Sequence, residues 1–223
     1  MSEKSIVTYR YTNNPKIPAE ITANGYTTPV WTQQLWETGN NIRYIKGNGC
    51  GHCCAAMAAN LHGVDIDPDM EYELCLKLWG EPNDKATPAQ DHFQTVSGIT
   101  KILHSLGIFA EYFGTKNQGV DAAMEHILSS LAEGKQVIFW SHPTPEYPDN
   151  PFSPGEHYVM ACGFDENGNI VIANSTNRVK GDGIQLVNAE QIKKSLHIAS
   201  EPQDRTWGEL DCLEKDSGYV VVG

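Results

Sequence analysis

The sequence predicts an α+β chain, helices first and an antiparallel sheet second, and three observations carry that expectation. Between residues 51 and 134 apolar side chains recur at helical spacing. From residue 136 onward the apolar runs are strand-sized and rich in Val, Ile, Tyr and Phe. Between two of those runs stands Asp165-Glu166-Asn167-Gly168, a hairpin signal in which Asn-Gly can take positive φ.

The elements follow in order. Ser5 to Tyr11 reads as a strand, and the Pro/Asn/Thr/Gly-rich passage through Tyr26 as ordered loop or extended arm. The first helix is expected over about 51–62, because Cys54, Met57, Ala58 and Leu61 share one face and Gly63 stands just past its end. Asp67-Pro68 supplies a cap and a first-turn proline for a second helix over about 68–79, which Gly80 closes. After a polar loop through Pro88, Val96, Ile99, Ile102, Leu103 and Leu106 outline a third helix that stops at Gly107. Ile108 to Phe113 is a strand, and Val120, Ala123, Met124, Ile127, Leu128 and Leu131 mark a helix ending before Gly134. The sheet strands are Gln136 to Ser141, His157 to Phe164, Asn169 to Asn174, Gly183 to Val187 and Gly218 to Val222, with a helix, Ala189 to Leu196, capped by Asn188.

Length and composition narrow the possibilities. A chain of 223 residues without internal repeat or linker is expected to be one domain over 1–223, with 1–27 as an N-terminal extension or arm. Apolar residues at 40% and charged residues at 20% mark a folded chain, not a disordered one. Sixteen basic against 28 acidic residues leave a net charge of −12, which repels phosphate backbones and anionic membranes, so neither nucleic acid nor membrane is an expected partner. Met1 to Glu20 has no apolar core of the length a secretion signal needs, and no run approaches the roughly 18 apolar residues of a membrane span. The expected location is therefore cytoplasmic by default, with release by lysis or in a virion also compatible. Six cysteines in a chain of this size are expected to be reduced, and Cys75, Cys162 and Cys212, scattered among apolar neighbours, read as buried and inert.

The chemistry concentrates in Gly49-Cys50-Gly51-His52-Cys53-Cys54, Glu156-His157-Tyr158-Val159 and Ile172-Ala173-Asn174-Ser175. A thiol is a poor nucleophile until ionised, and a helix start favours the anion. Helix phase puts Cys50 on the inward face with Met57 and Leu61 and moves Cys53 toward the flank, which favours Cys50 while leaving Cys53 as its rival. His157 opens an apolar strand where a sheet can present a base, and the hairpin can bring the Asn174 amide beside it to orient the ring. The competing reading is metal or redox: Cys50-x-x-Cys53 with His52 and Cys54 has ligand-like spacing, but no second ligand pair follows and no βαβ context surrounds it. No cofactor and no metal are expected.

These residues resemble the papain-like cysteine peptidases, and most closely the bacteriocin-processing, double-glycine-leader peptidase family. Gly49-Cys50-Gly51 with Ala55-Ala56-Met57 and Gly63-Val64-Asp65 is similar to that family's nucleophile helix, and His157-Tyr158-Val159 through Gly163-Phe164-Asp165 to its histidine strand. Asn174 stands where the family carries Asp or Asn, and the likeness spans about residues 28–175. Two departures stand out. His52-Cys53-Cys54 replaces the Pro-Thr-Ser of many relatives, and papain's own Cys-Gly-Ser-Cys pattern would move the nucleophile to Cys53. Tyr44 stands six residues before Cys50, so the oxyanion-hole glutamine of close-spaced members is missing there, and Gln33 or Gln34 resembles the more distant Gln of stand-alone members.

The resemblance implies a papain-like fold, with the nucleophile helix of an N-terminal helical part packed on a C-terminal antiparallel sheet. It implies a stand-alone cysteine peptidase using Cys50, His157 and Asn174, with Gln33 in the oxyanion hole, acting through an acyl-thioester on peptide or peptidoglycan-peptide substrates. Acyl transfer by the same thiol is the nearest alternative, and an inactive scaffold or a metal or redox thiol protein the more distant one.

Overall fold

The computed structural model describes residues 6–12, 17–79, 95–115, 118–143, 148, 150–176, 183–196 and 218–223. Gly80 and Cys212 lie outside these residues, as does most of the expected polar loop through Pro88.

Three short strands open the chain: β1 (Thr8–Arg10), β2 (Glu20–Ala23) and β3 (Tyr26–Pro29), joined in that order as an antiparallel sheet. The passage expected as loop or arm thus contains β2 and the start of β3. Asn24 and Gly25 turn between them with φ of 53° and 82°, the doubly positive pattern that an Asn-Gly hairpin adopts. Ala19, Ile21 and Ala23 point inward at every second position and are buried, a period that the polar residues between them mask.

The helical part begins earlier than expected. Helix α1 (Ile42–Asn48) runs into α2 (Cys50–Asn60) with only Gly49 between them. A Cβ on Gly49 would lie 2.4 Å from the carbonyl oxygen of Ile45, so this junction requires glycine on grounds of space and not of φ. In α2 every residue from Gly51 to Ala59 is buried, and its many alanines let neighbours approach closely on all sides. Helices α3 (Pro68–Trp79) and α4 (Val96–Ser105) follow, the latter capped by Thr95 Oγ1, which accepts from the Gly98 N–H at 2.9 Å.

Strand β4 (Ala110–Gly114) and helix α5 (Gly119–Ala132) lead into β5 (Gln136–Ser141), β6 (His157–Phe164), β7 (Ile170–Ala173) and β8 (Ile184–Val187). Helix α6 (Ala189–Ser195), closed by an Asn188–Gln191 capping box, and β9 (Gly218–Val222) complete the described chain. The main sheet has the order β4-β9-β5-β6-β7-β8, with every neighbour antiparallel. The α+β plan is borne out: helices α1 to α4 precede the sheet strands that follow α5, and α2 lies against β6.

The sheet is covered on both faces, which is why its strands read as unbroken apolar runs. Ile138, Tyr158, Met160, Val171, Ala173 and Val220 join α2, α4 and the small sheet in one core. Phe139, Val159, Ala161, Ile172, Tyr219 and Val221 join α5 and α6 in another. The β6–β7 turn is held by its own side chains and not by an Asn-Gly pair alone. Asp165 Oδ1 accepts from the N–H groups of Asn167 and Asn169, at 2.9 and 2.8 Å, and Gly168 takes positive φ. Gly163, at φ 137° beside a β6 bulge, leaves room for Val7, where a Cβ would lie 2.7 Å from its side chain.

Candidate active site

Cys50 is the first residue of α2 and is half-buried. Burial pushes its thiol up from the ordinary value, and the backbone N–H groups of Tyr158, Gly51 and Cys50 itself, with the charge of His52, pull it back only in part. Helix α2, whose first residue is Cys50, lies against β6, whose first residue is His157. The rival Cys53 is fully buried, and burial first, then the neighbouring Cys50, drive its thiol far up. Cys54 is also buried and pushed up. Cys75 and Cys162 are buried thiols as expected.

His157 and Asn174 are brought together. Register pairs Met160 with Ala173, so Asn174, one residue past β7, is the diagonal neighbour of His157 on one face of the sheet. His157 Nε2 lies 2.8 Å from Asn174 Oδ1, and both residues are buried. Oδ1 also accepts from the Thr176 N–H at 3.2 Å, while Nδ2 donates to the Phe152 carbonyl at 2.9 Å and to Gln185 Oε1 at 2.8 Å. An amide oxygen only accepts, so Nε2 carries a proton, and in the neutral ring Nδ1 keeps its lone pair.

The segment 150–152 is tied to Asn174 and to Ser141. Asn150 donates to Ser141 Oγ at 2.8 Å, next to His157 in the β5–β6 register, and accepts from the Phe152 N–H at 2.8 Å. The Phe152 ring, fully buried, meets Phe139 edge to face with centroids 5.6 Å apart.

Gln33 lies in a short 3-10 turn, Gln33–Leu35, and its backbone N–H donates to the Ser175 carbonyl at 2.8 Å, one residue from Asn174. Its side chain is buried, and its Oε1 has no hydrogen-bond partner among the described residues. Gln34 stands beside it in the same turn. Ser175 Oγ and the indole N–H groups of Trp36 and Trp140 are likewise buried without partners among the described residues. Trp140 packs edge to face on Tyr158 at 4.5 Å, so an orphaned donor stands close to the start of β6.

A second cluster lies between α2 and α3. His52 Nδ1 and Glu71 Oε2 are 2.5 Å apart, and Cys75 Sγ donates to Glu71 Oε1 at 3.5 Å, all three buried. Among the described residues these are the side chains of ligand type that converge, their candidate atoms within 4.8 Å of one another, whereas the Cys50-x-x-Cys53 spacing gathers no such group. Glu71 is bonded to both other members, so the three side chains form a buried hydrogen-bonded network. Glu71 is absent from the sequence-based expectations, and Cys75 enters them only as a buried, inert thiol. Their only signal is an i, i+4 pair on α3, and nothing in the sequence joins it to His52.

The family model of the Peptidase_C39 like family matches residues 27–202, and the chain belongs to that family. Among solved structures, a candidate C39-like peptidase from Bacillus anthracis is 16% identical with a TM-score of 0.48, covering 100% of this chain and 98% of that one. A fragment of Prevotella intermedia prointerpain A is 12% identical with a TM-score of 0.34, covering 98% of this chain and 56% of that one. No curated protein matches the chain. Among the described residues no helix is long and apolar enough to cross a membrane.

Proposed function

We propose that the chain is a cysteine peptidase that cleaves peptide amide bonds with Cys50 as nucleophile, His157 as base and Asn174 as orienter. The observation that carries this reading is the buried His157–Asn174 hydrogen bond. It commits Nε2 to the amide and makes Nδ1 the accepting nitrogen of the neutral ring, at the first residue of the strand against which α2 lies. His157 Nδ1 takes the thiol proton, and the thiolate attacks the substrate carbonyl. The Cys50 N–H and the Gln33 amide hold the oxyanion, an interaction of about 3 kcal/mol in comparable sites.

Collapse of the tetrahedral adduct forms the acyl-thioester, and the imidazolium returns its proton to the leaving amine. His157 then takes a proton from water, which attacks the thioester carbonyl and releases the acid and the thiol. An amine in place of water would complete acyl transfer instead. Family membership supports peptide substrates. The resemblance to double-glycine-leader peptidases points to small residues at the cleaved bond, in a Gly-Gly leader or a cell-wall cross-link peptide.

Incubation with a peptide library and with purified peptidoglycan, read by mass spectrometry, tests the reading. Cleavage products are expected from one of the two with the wild-type protein, and none with Cys50→Ser or His157→Ala. Undiminished cleavage by Cys50→Ser would sink it.

A further inference from the structure

We propose that Gln185 is a positioning residue for His157, acting through Asn174; this rests on the Cys50–His157–Asn174 reading. Gln185 is on β8, opposite Ile172 in the register, and its side chain reaches the Asn174 amide. Its own amide bridges two elements. Nε2 donates to the Pro151 carbonyl at 2.7 Å, and Oε1 accepts from Asn174 Nδ2 at 2.8 Å. The Pro151 carbonyl only accepts, so the Gln185 amide cannot flip, and its oxygen must face Asn174.

Two consequences follow from that lock. Asn174 Nδ2 meets two oxygens, Gln185 Oε1 and the Phe152 carbonyl, so Oδ1 is committed to His157 and the ring keeps its proton on Nε2. Gln185 also ties the 151–152 segment to the sheet, and that segment supplies the second of those oxygens. The same arrangement disfavours aspartate at position 174, because a carboxylate there would set an acceptor against both facing oxygens.

Gln185→Met removes both hydrogen bonds at similar volume. Labelling of Cys50 by a neutral haloacetamide at pH 7 is expected to slow about tenfold, as for loss of a residue supporting a catalytic ligand. In turnover kcat should fall with KM unchanged. Nitrogen-15 shifts of His157 in a Cys50→Ala background, above the pH of imidazole titration, should show the Nε2–H form alone with Gln185 in place and both tautomers once Gln185→Met is added. The loss caused by Asn174→Asp should also be smaller when it is combined with Gln185→Met than in the otherwise wild-type protein, since one facing oxygen is gone. Should Gln185→Met not fold, Gln185→Asn, too short to reach both partners, replaces it in the same measurements. If His157→Ala slows labelling while the Gln185 variant matches wild type in rate and tautomer, the role of Gln185 is refuted and the catalytic reading stands. If His157→Ala changes nothing, both fall.

Discussion

Removing the His52 imidazole is a direct test of what holds the first turn of α2 in place. His52 and Glu71 are each about 1% exposed, and their hydrogen bond joins the turn that carries Cys50 to α3. With His52→Ala the Glu71 carboxyl loses this partner and retains the Cys75 thiol, and breaking a buried pair by deleting one partner costs about 3–5 kcal/mol. For a chain of this size that is a loss of about 10 °C in thermal midpoint. Replacing both partners with apolar residues of similar volume, His52→Leu with Glu71→Met, removes the unsatisfied group as well, and the double variant should fall within about 1 kcal/mol of the parent. The assay is urea unfolding under reducing conditions, followed by far-ultraviolet circular dichroism and compared at constant m. A cost below about 1 kcal/mol for His52→Ala would refute the reasoning, since it rests on the magnitude expected for a buried pair. A double variant as unstable as the summed singles would refute it too.

Four further outcomes are expected. Because burial raises the Cys50 thiol, below its titration it is protonated and inert without a base, so in His157→Ala labelling should rise only at a pH above the ordinary 9.0; a midpoint at or below that value contradicts the geometry. Cys53→Ser should keep the fast-labelling thiol and Cys50→Ser should lose it, read by mass of the labelled peptide, and the reverse pattern would move the nucleophile to Cys53. Gly49→Ala forces a Cβ against the Ile45 backbone and should cost about 1–3 kcal/mol in urea unfolding; wild-type stability would mean that the α1–α2 junction relaxes freely. The hydrogen bond from the Asn169 side chain, ahead of those from the Asn169 and Asn167 backbones, holds the Asp165 carboxyl below its usual value. Its contribution is thus present above about pH 3.9 and lost as pH falls through the lowered native value. Asp165→Ala should lower the thermal midpoint at pH 7, and the gap from wild type should narrow at pH 3.

Local pattern carried most of the elements. The Asp67-Pro68 start and the strands Gln136–Ser141, His157–Phe164 and Gly218–Val222 stand where periodicity and caps put them. The elements not expected have physical reasons. In Glu20–Ala23 the alternation is diluted by polar and small residues, and the Asn24-Gly25 signal is hidden inside a Pro- and Thr-rich stretch. Helix α1 ends against Gly49, which reads as a breaker and serves as a close junction.

What the sequence by itself determined is the α+β plan and the β6–β7 hairpin, closed by local turn chemistry; the β6 bulge between Ala161 and Gly163 then shifts the register by one residue, and that shift makes Asn174 the diagonal neighbour of His157 on one face. Tertiary structure alone decided the rest. Half-burial of Cys50 against full burial of Cys53 depends on what packs over α2. Gln33 is held one residue from Asn174 by a backbone bond to Ser175, which lies far along the chain from it. The last strand enters the sheet between β4 and β5. The His52–Glu71 and Asn174–Gln185 contacts join separate elements. Burial and long-range hydrogen bonds are properties of the packed chain, and no local spacing encodes them.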